Sequence, residues 1–162
     1  MARPLRISYP NAFYHVTCRG NDRRVIFRDD HDRTRFLEQL RSALDIFGVR
    51  VHAYVLMSNH FHLIVETPKA NLSEFMRQFN ISYTSYYNRL HRRIGYLYQG
   101  RFKAIVVDKD SYLLELSCYV HLNPIRIRAK AERPETERIR EISHYQWSTF
   151  LGTLTERRRP RG

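Results

Sequence analysis

The fold of this 162-residue chain is decided by the stretch Val51-His-Ala-Tyr-Val-Leu-Met57, Ser58-Asn59 and His60-Phe-His-Leu-Ile-Val-Glu66. Two runs rich in β-branched and aromatic residues flank a two-residue polar break, a pattern that predicts a β-hairpin with a tight turn. Asn59 is suited to that turn because asparagine tolerates the left-handed backbone that such loops need.

The second run predicts where its side chains lie. Because strand side chains alternate between the two faces of a sheet, His60 and His62 are expected on one face and Phe61 on the other. Residues 63–65 (Leu-Ile-Val) are apolar on both faces, which predicts a central strand that is covered on both sides near that end.

The His60–His62 pair admits two interpretations. Two imidazoles standing side by side can share one metal ion. A chain with eight histidines can also contain a His-x-His pair by chance, and both would then be ordinary strand histidines. The pair becomes informative only together with residues elsewhere in the chain.

The rest of the chain alternates strands and helices. Alternation predicts a strand over 12–18, and apolar residues at three- and four-residue steps predict a helix over 29–47, capped by Asp30 or Asp32 and stopped by Gly48. A second helix is expected over 72–94, with an aromatic stripe that we assign mostly to the core.

The C-terminal half continues this order. Residues 101–107 read as a strand, and a helix capped by Asp108 or Asp110 is expected over 111–122, ended by Pro124. Residues 131–142 are charged and helical or loose, and residues 144–150 are expected to dock through Tyr145, Trp147 and Phe150.

This order predicts an α+β fold: a ferredoxin-like or RRM-like antiparallel sheet of four to five strands with the helices mainly on one face. We expect a single domain over residues 1–152 and a basic, disordered tail over 153–162. Monomer and homodimer are both left open.

The net charge of +12, from 28 Lys+Arg against 16 Asp+Glu, favours nucleic acid as the partner. We expect no membrane segment and no signal peptide, and hence a cytoplasmic protein. Cys18 and Cys118 lack metal-type spacing and are interpreted as reduced thiols.

Several basic segments are candidates for DNA contact. The loop 19–24 contains three arginines beside turn residues and suits phosphate binding or, equally, a solvated turn. Tyr96 and Tyr98 precede two cations, as in single-strand binders. The candidate DNA-binding residues are Arg19, Asn21, Arg23, Arg24, Arg89, Arg92, Arg93, Arg101, Lys103, Arg126 and Arg128.

The predicted third helix carries a tyrosine of interest. Tyr119 and Asn123 are four residues apart and so share one helical face, whereas His121 points away. A tyrosine nucleophile beside His60, His62 and Asn123 would place three neutral ligands around a divalent ion with open positions for a phosphate oxygen. The other interpretation is that Tyr119 is a core aromatic.

Three ordered motifs, Met57-Ser-Asn-His-Phe-His-Leu63, Tyr98-Gln-Gly-Arg-Phe-Lys103 and Tyr119-Val-His-Leu-Asn-Pro124, together resemble the single-tyrosine HUH transposases. The most similar branch is that of the IS200-like, REP-associated tyrosine transposases. The resemblance covers about residues 5–152. It implies His60 and His62 as metal ligands, Tyr119 as the nucleophile and Asn123 as a third ligand.

The resemblance also implies an activity: metal-dependent cleavage and rejoining of single-stranded DNA, often at an imperfect hairpin, through a 5′-phosphotyrosine. Asparagine and phosphate oxygens suit Mg²⁺ or Mn²⁺. A phenol, with its pKa of about 10, needs activation, and no residue is identified as the base. The alternatives are a non-catalytic single-stranded nucleic-acid-binding module and a nuclease in which water attacks.

Overall fold

The computed structural model describes residues 5–110, 112–126 and 132–149. The strands and helices in chain order are β1 (Ala12–Arg19), α1 (Asp30–Phe47), β2 (Arg50–Leu56), β3 (His60–Thr67), α2 (Leu72–Leu90), β4 (Lys103–Val107), α3 (Leu113–Leu122) and α4 (Glu135–His144). Short 3₁₀ turns span Asn21–Arg23 and Asn123–Ile125. The expected tail over 153–162, Phe150 and Arg128 lie outside the described residues.

The four strands form one antiparallel sheet in the order β2-β3-β1-β4. With one helix after β1 and one after β3, this is the ferredoxin-like arrangement, and the α+β prediction is confirmed. Central strand β3 is buried along nearly all its length. Its start lies beside the end of β1, where Arg19 pairs with His60.

The two faces of the sheet are covered differently. Helices α1 and α2 cover one face, where the rings of Phe61 and Phe79 lie 4.9 and 4.8 Å from that of Phe36. Helix α3 packs on the opposite face, where Val120 joins a smaller buried cluster with Ile64. Both long helices therefore share a face, and α3 lies on the face toward which His60 and His62 project.

The turn of the β2–β3 hairpin is tight, as expected, since the Met57 amide donates to the His60 carbonyl at 2.9 Å. Its backbone differs from the expectation, because Asn59 does not adopt positive φ. The Asn59 amide group is engaged instead: Nδ2 donates to the Arg23 carbonyl at 3.2 Å and Oδ1 lies 2.7 Å from His60 Nδ1.

The expected ends of the first two helices were partly wrong. Asp29, rather than Asp30 or Asp32, caps α1 by accepting from the Asp32 amide at 2.9 Å; Gly48 stops α1 in the left-handed region, as expected. Helix α2 ends at Leu90 rather than residue 94, because Arg92 turns to φ 51°.

Helix α3 and strand β4 also begin two residues later than expected. Helix α3 begins at Leu113 without a side-chain cap, because Asp108 Oδ1 accepts from the Asp110 amide instead. Strand β4 begins at Lys103 rather than Arg101. Both differences are of two residues, the usual uncertainty of such ends.

The segment after α4 docks on the free edge of β2. The Leu56 amide donates to the Trp147 carbonyl at 2.8 Å, and the Tyr145 hydroxyl donates to the Leu56 carbonyl. The pairing of Val55 with Ser148 is a single bridge, so the described sheet has four strands. Cys18 is buried and Cys118 exposed, and both are free thiols. No helix in the described part of the chain is long and apolar enough to cross a membrane.

Candidate active site

His60 and His62 converge on one side chain from the 3₁₀ turn that follows α3. His60 Nε2 lies 3.4 Å from Asn123 Oδ1, and His62 Nε2 lies 3.1 Å from Asn123 Nδ2. The alternation of β3 brings the two imidazoles to one face, and the turn after α3 carries Asn123 to them. Because the amide oxygen and nitrogen exchange on a half-turn, the oxygen can face either ring.

The other ring nitrogen of each histidine already has a partner. Asn59 Oδ1 lies 2.7 Å from His60 Nδ1, and His15 Nε2 lies 2.9 Å from His62 Nδ1. Since a carbonyl oxygen can only accept, the shorter contact with Asn59 favours a proton on His60 Nδ1, which leaves a lone pair on Nε2 when the Asn123 amide nitrogen faces that ring. His15 can hold His62 in the same tautomer, and the two rings are stacked with centroids 5.1 Å apart.

Tyr119 stands over this group. Its ring centroid lies 6.1 Å from those of both His62 and His15, in edge-to-face geometry. Tyr119 is 38% exposed, unlike a core aromatic. The guanidinium of Arg126 lies 4.7 Å from the centre of the Tyr119 ring, a cation–π distance.

His121 points away from Tyr119, as predicted. It is buried, with Nε2 2.7 Å from the Thr149 hydroxyl. No described contact brings it to the His60–His62 pair, and its arrangement suits packing of α3 against the segment after α4.

The electrostatics keep the imidazoles neutral. Burial lowers the pKa of His60; the contact with Asn123 opposes this effect, and the charge of Arg19 adds to it. Burial, with further repulsion from His15, His60 and Arg19, lowers the pKa of His62 to about 3. Burial also lowers the pKa of His15. Neutral imidazoles with free lone pairs are the form that binds a metal ion.

A cavity of 300 Å³ opens beside the two histidines. Its lining includes three of the predicted DNA-binding cations, Arg19, Arg101 and Lys103, and has no carboxylate; the remaining lining residues are Thr17, Cys18, Gln99, His60 and His62. A positively charged cavity at the imidazoles can attract a phosphate group.

The other predicted DNA-binding residues lie outside that cavity. Asn21, Arg23 and Arg24 lie in and after the 3₁₀ turn that follows β1. Arg89, Arg92 and Arg93 surround the end of α2, where the Arg93 guanidinium lies 5.7 Å from the centre of the Tyr87 ring. Arg126 contacts Tyr119, as described. Arg128 lies in an undescribed segment.

Two residues beside the histidines were missed by reasoning from sequence. His15 was read only as part of a strand, and Asn59 only as a turn residue. The order β3-β1 could have revealed His15, because it places a β1 histidine of the correct parity beside His62. The contact of Asn59 depends on the turn geometry.

A second group of possible metal ligands lies at the start of α1. Ligand atoms of Asp29, His31 and Asp32 lie within 4.8 Å of one another. Much of this group is already engaged: Asp29 caps α1, and Asp32 accepts from the Arg28 amide at 2.8 Å and contacts His91 Nε2 at 2.8 Å. In the histidine–asparagine group, by contrast, the Nε2 atoms of both rings face the single side chain of Asn123.

The family of the chain follows from comparison with known proteins. Residues 8–123 match the family model described as "Transposase IS200 like". This match spans β1 to Asn123 and covers well over half of the chain. The protein belongs to the IS200-like transposase family, a class of DNA-processing enzymes. No curated protein sequence matches the chain.

Solved structures agree on the fold. One similar structure is that of a REP-associated tyrosine transposase bound to a REP hairpin: it is 15% identical, with a TM-score of 0.74, and the match covers 99% of this chain and 89% of that one. Another is a transposase-like protein from Deinococcus radiodurans, 16% identical, with a TM-score of 0.51, covering 74% of this chain and 95% of that one. At these identities the likeness shows the fold.

Proposed function

We propose that this transposase cleaves and rejoins single-stranded DNA through a covalent bond between Tyr119 and a 5′-phosphate. One observation carries the proposal: an exposed tyrosine ring lies 6.1 Å from His62, whose Nε2 faces the same asparagine as that of His60. A tyrosine nucleophile beside three neutral metal ligands is compatible with metal-assisted phosphoryl transfer.

The donor set fits a divalent ion. His60 Nε2, His62 Nε2 and the Asn123 amide oxygen would hold the ion and leave positions open for phosphate oxygens. Imidazole by itself favours zinc or copper, but the amide and phosphate oxygens suit Mg²⁺ or Mn²⁺, which cells supply abundantly. When bound, the ion supplies charge stabilisation to the phosphate. Asn59 and His15 keep the two imidazoles oriented toward that position.

In the proposed reaction each bond that breaks is matched by a bond that forms, so no further reactant is consumed. The Tyr119 oxygen attacks phosphorus and forms a phosphotyrosine ester while the bond from phosphorus to the 3′-oxygen breaks. The phenolic proton is lost, and the departing 3′-oxygen takes up a proton to become a 3′-hydroxyl. Attack by a 3′-hydroxyl reverses the step and joins strands, so the phosphodiester energy is conserved and no ATP is needed.

Positive charge would hold the DNA. Arg19, Arg101 and Lys103 line the cavity at the histidines, where they can pair with phosphates on either side of the cleaved bond. The REP-associated relative was solved with a REP hairpin, which supports hairpin-containing DNA as the substrate of this chain. Arg89, Arg92 and Arg93 are proposed to contact more distant phosphates.

The test is an adduct assay. Wild-type protein is incubated with a fluorescent single-stranded hairpin oligonucleotide and Mg²⁺ or Mn²⁺, then denatured and separated by size. We expect a denaturation-resistant protein–DNA adduct that Tyr119→Phe abolishes, with DNA affinity retained. Tyr112→Phe is the matched control, because Tyr112 is another exposed tyrosine at the start of α3.

The other functions give different results. A non-catalytic binding module would give only a salt-sensitive mobility shift. A nuclease that uses water would give free ends with no adduct. If Tyr119→Phe cleaved normally, the assignment of Tyr119 as the nucleophile would be wrong.

A further inference from the structure

A second cavity, of 510 Å³, lies on the other face of the sheet between α2 and the loop 95–102. Its volume is within the range of ligand-binding pockets. Apolar side chains form part of its lining, among them Met76, Ile81 and Phe102. We call it the α2 cavity. None of its lining residues belongs to the histidine–asparagine group.

An exposed aromatic ring lies at the edge of the α2 cavity. Tyr96 is 85% exposed, Ile94 beside it is 99% exposed, and Ile81 across from them is 52% exposed. Exposed apolar groups gathered beside a cavity are typical of a binding surface. A tyrosine ring in this position can stack on a flat ligand.

The charges around the α2 cavity are all positive. Arg6, Arg77 and Arg101 line it, and no aspartate or glutamate does. The guanidinium of Arg101 lowers the pKa of Arg6, after the larger effect of burial, which means that the two cations repel each other. An anion between them would remove that repulsion.

The α2 cavity and the candidate active site share one lining residue. Arg101 lines both this cavity and the one at His60 and His62. The loop that carries Tyr96 is also tied to the residues after β1: the Asn21 amide donates to the Leu97 carbonyl and the Gln99 amide to the Arg19 carbonyl, both at 2.8 Å. A DNA strand at the histidines can therefore cross Arg101 and reach Tyr96.

We propose that the α2 cavity binds one unpaired base of the DNA strand, stacked on Tyr96, with the adjoining phosphate on Arg101 and Arg6. The proposal takes its ligand, single-stranded DNA, from the proposed function. The active site would then act at a set distance along the strand from the bound base.

An abasic scan tests the inference. Hairpin oligonucleotides with single-stranded flanks, each lacking one base of a flank, are titrated with protein in EDTA so that only binding is measured. We expect one position at which the missing base weakens binding by about 5- to 100-fold. Tyr96→Ala should weaken binding of the intact oligonucleotide by a similar factor and remove the effect of the missing base.

Tyr112→Ala is the control, because Tyr112 is an exposed tyrosine that lines neither cavity. The inference would be overturned if no missing base weakened binding, or if Tyr96→Ala bound the intact oligonucleotide as tightly as wild type. It would also be overturned if the affinity losses from Tyr96→Ala and from the missing base multiplied, because two groups in one contact should not act independently. The adduct assay keeps the two proposals apart. If the adduct forms but no missing base weakens binding, only the base site is refuted. If one missing base weakens binding and Tyr96→Ala removes that effect but no adduct forms, only the covalent chemistry is refuted.

Discussion

His15 is expected to control metal binding without touching the metal. In the proposed site His62 would bind a metal through Nε2 only with its proton on Nδ1, and His15 Nε2, 2.9 Å from that Nδ1, is placed to accept this proton. In His15→Phe an aromatic ring remains to stack on His62, but the acceptor is gone. His62 can then adopt the Nε2–H tautomer, which cannot bind the ion.

The expected size of the effect follows from this one hydrogen bond. Loss of a partner that orients a ligating histidine costs about 10- to 100-fold in metal affinity, or about 1.4 to 2.7 kcal/mol. A shift between tautomers supplies part of that factor, and the freedom of the His62 ring to rotate supplies the rest. In His15→Gln an amide oxygen can accept the same proton, so most of the affinity should return.

The assay is a titration of metal-free protein with Mn²⁺, with the free ion followed by electron paramagnetic resonance. Long-range ¹H–¹⁵N NMR spectra of the same samples report the tautomer of His62. His52→Phe is the matched control, since His52 lies on the neighbouring strand β2 and its hydrogen bond is to Glu66, at 2.9 Å. Wild-type Mn²⁺ affinity in His15→Phe, or an equal loss in His52→Phe, would refute the reasoning.

Two further predictions concern the buried ionisable groups. Burial raises the pKa of the Cys18 thiol to about 12, while Cys118 is exposed. A thiol reagent at pH 8 should therefore label one cysteine in the native protein and two in denaturant. Cys118→Ser should remove the rapid reaction, and two rapidly reacting cysteines in the native wild-type protein would contradict this prediction. The pKa of His62, about 3 in the fold against about 6.5 unfolded, means that the unfolded chain binds more protons below pH 6.5. The free energy of unfolding of the metal-free protein should thus fall as pH drops from 6.5 toward 3, by at most about 1.4 kcal/mol per pH unit from this group. Urea midpoints at pH 7 and 5 measure it, and an equal slope in His62→Gln would rule out His62 as the cause.

Local pattern was enough to predict the architecture. Period-two alternation over 51–66 separates Phe61 from His60 and His62, because a strand has only two faces. Periodicity of 3.6 gives α2 its buried stripe for the same kind of reason. With the order of strands and helices, these patterns left few topologies, and the observed β2-β3-β1-β4 sheet is the simplest of them.

Helix ends and turn details could not be predicted as well. Asp29, Asp30 and Asp32 are all chemically able to cap α1, and the cap falls on Asp29 because the helix begins at Asp30. Asp32 lies inside the helix and contacts His91 from the end of α2. Likewise Asn59 was expected to adopt a left-handed backbone conformation, but its side chain hydrogen-bonds with Arg23 and His60 instead. Such choices depend on partners far away in the chain.

By itself the sequence determined that two imidazoles share one face of a strand, because side chains alternate in any strand. It also predicted one helical face for Tyr119 and Asn123, whereas the structure ends α3 at Leu122 and places Asn123 in the 3₁₀ turn that follows. Only the tertiary structure decided that these two faces meet, that His15 comes to His62, and that Arg19, Arg101 and Lys103 rather than the arginines of α2 line the cavity beside them. The physical reason is that strand pairing and helix packing join residues more than forty positions apart, and no local rule specifies those distances.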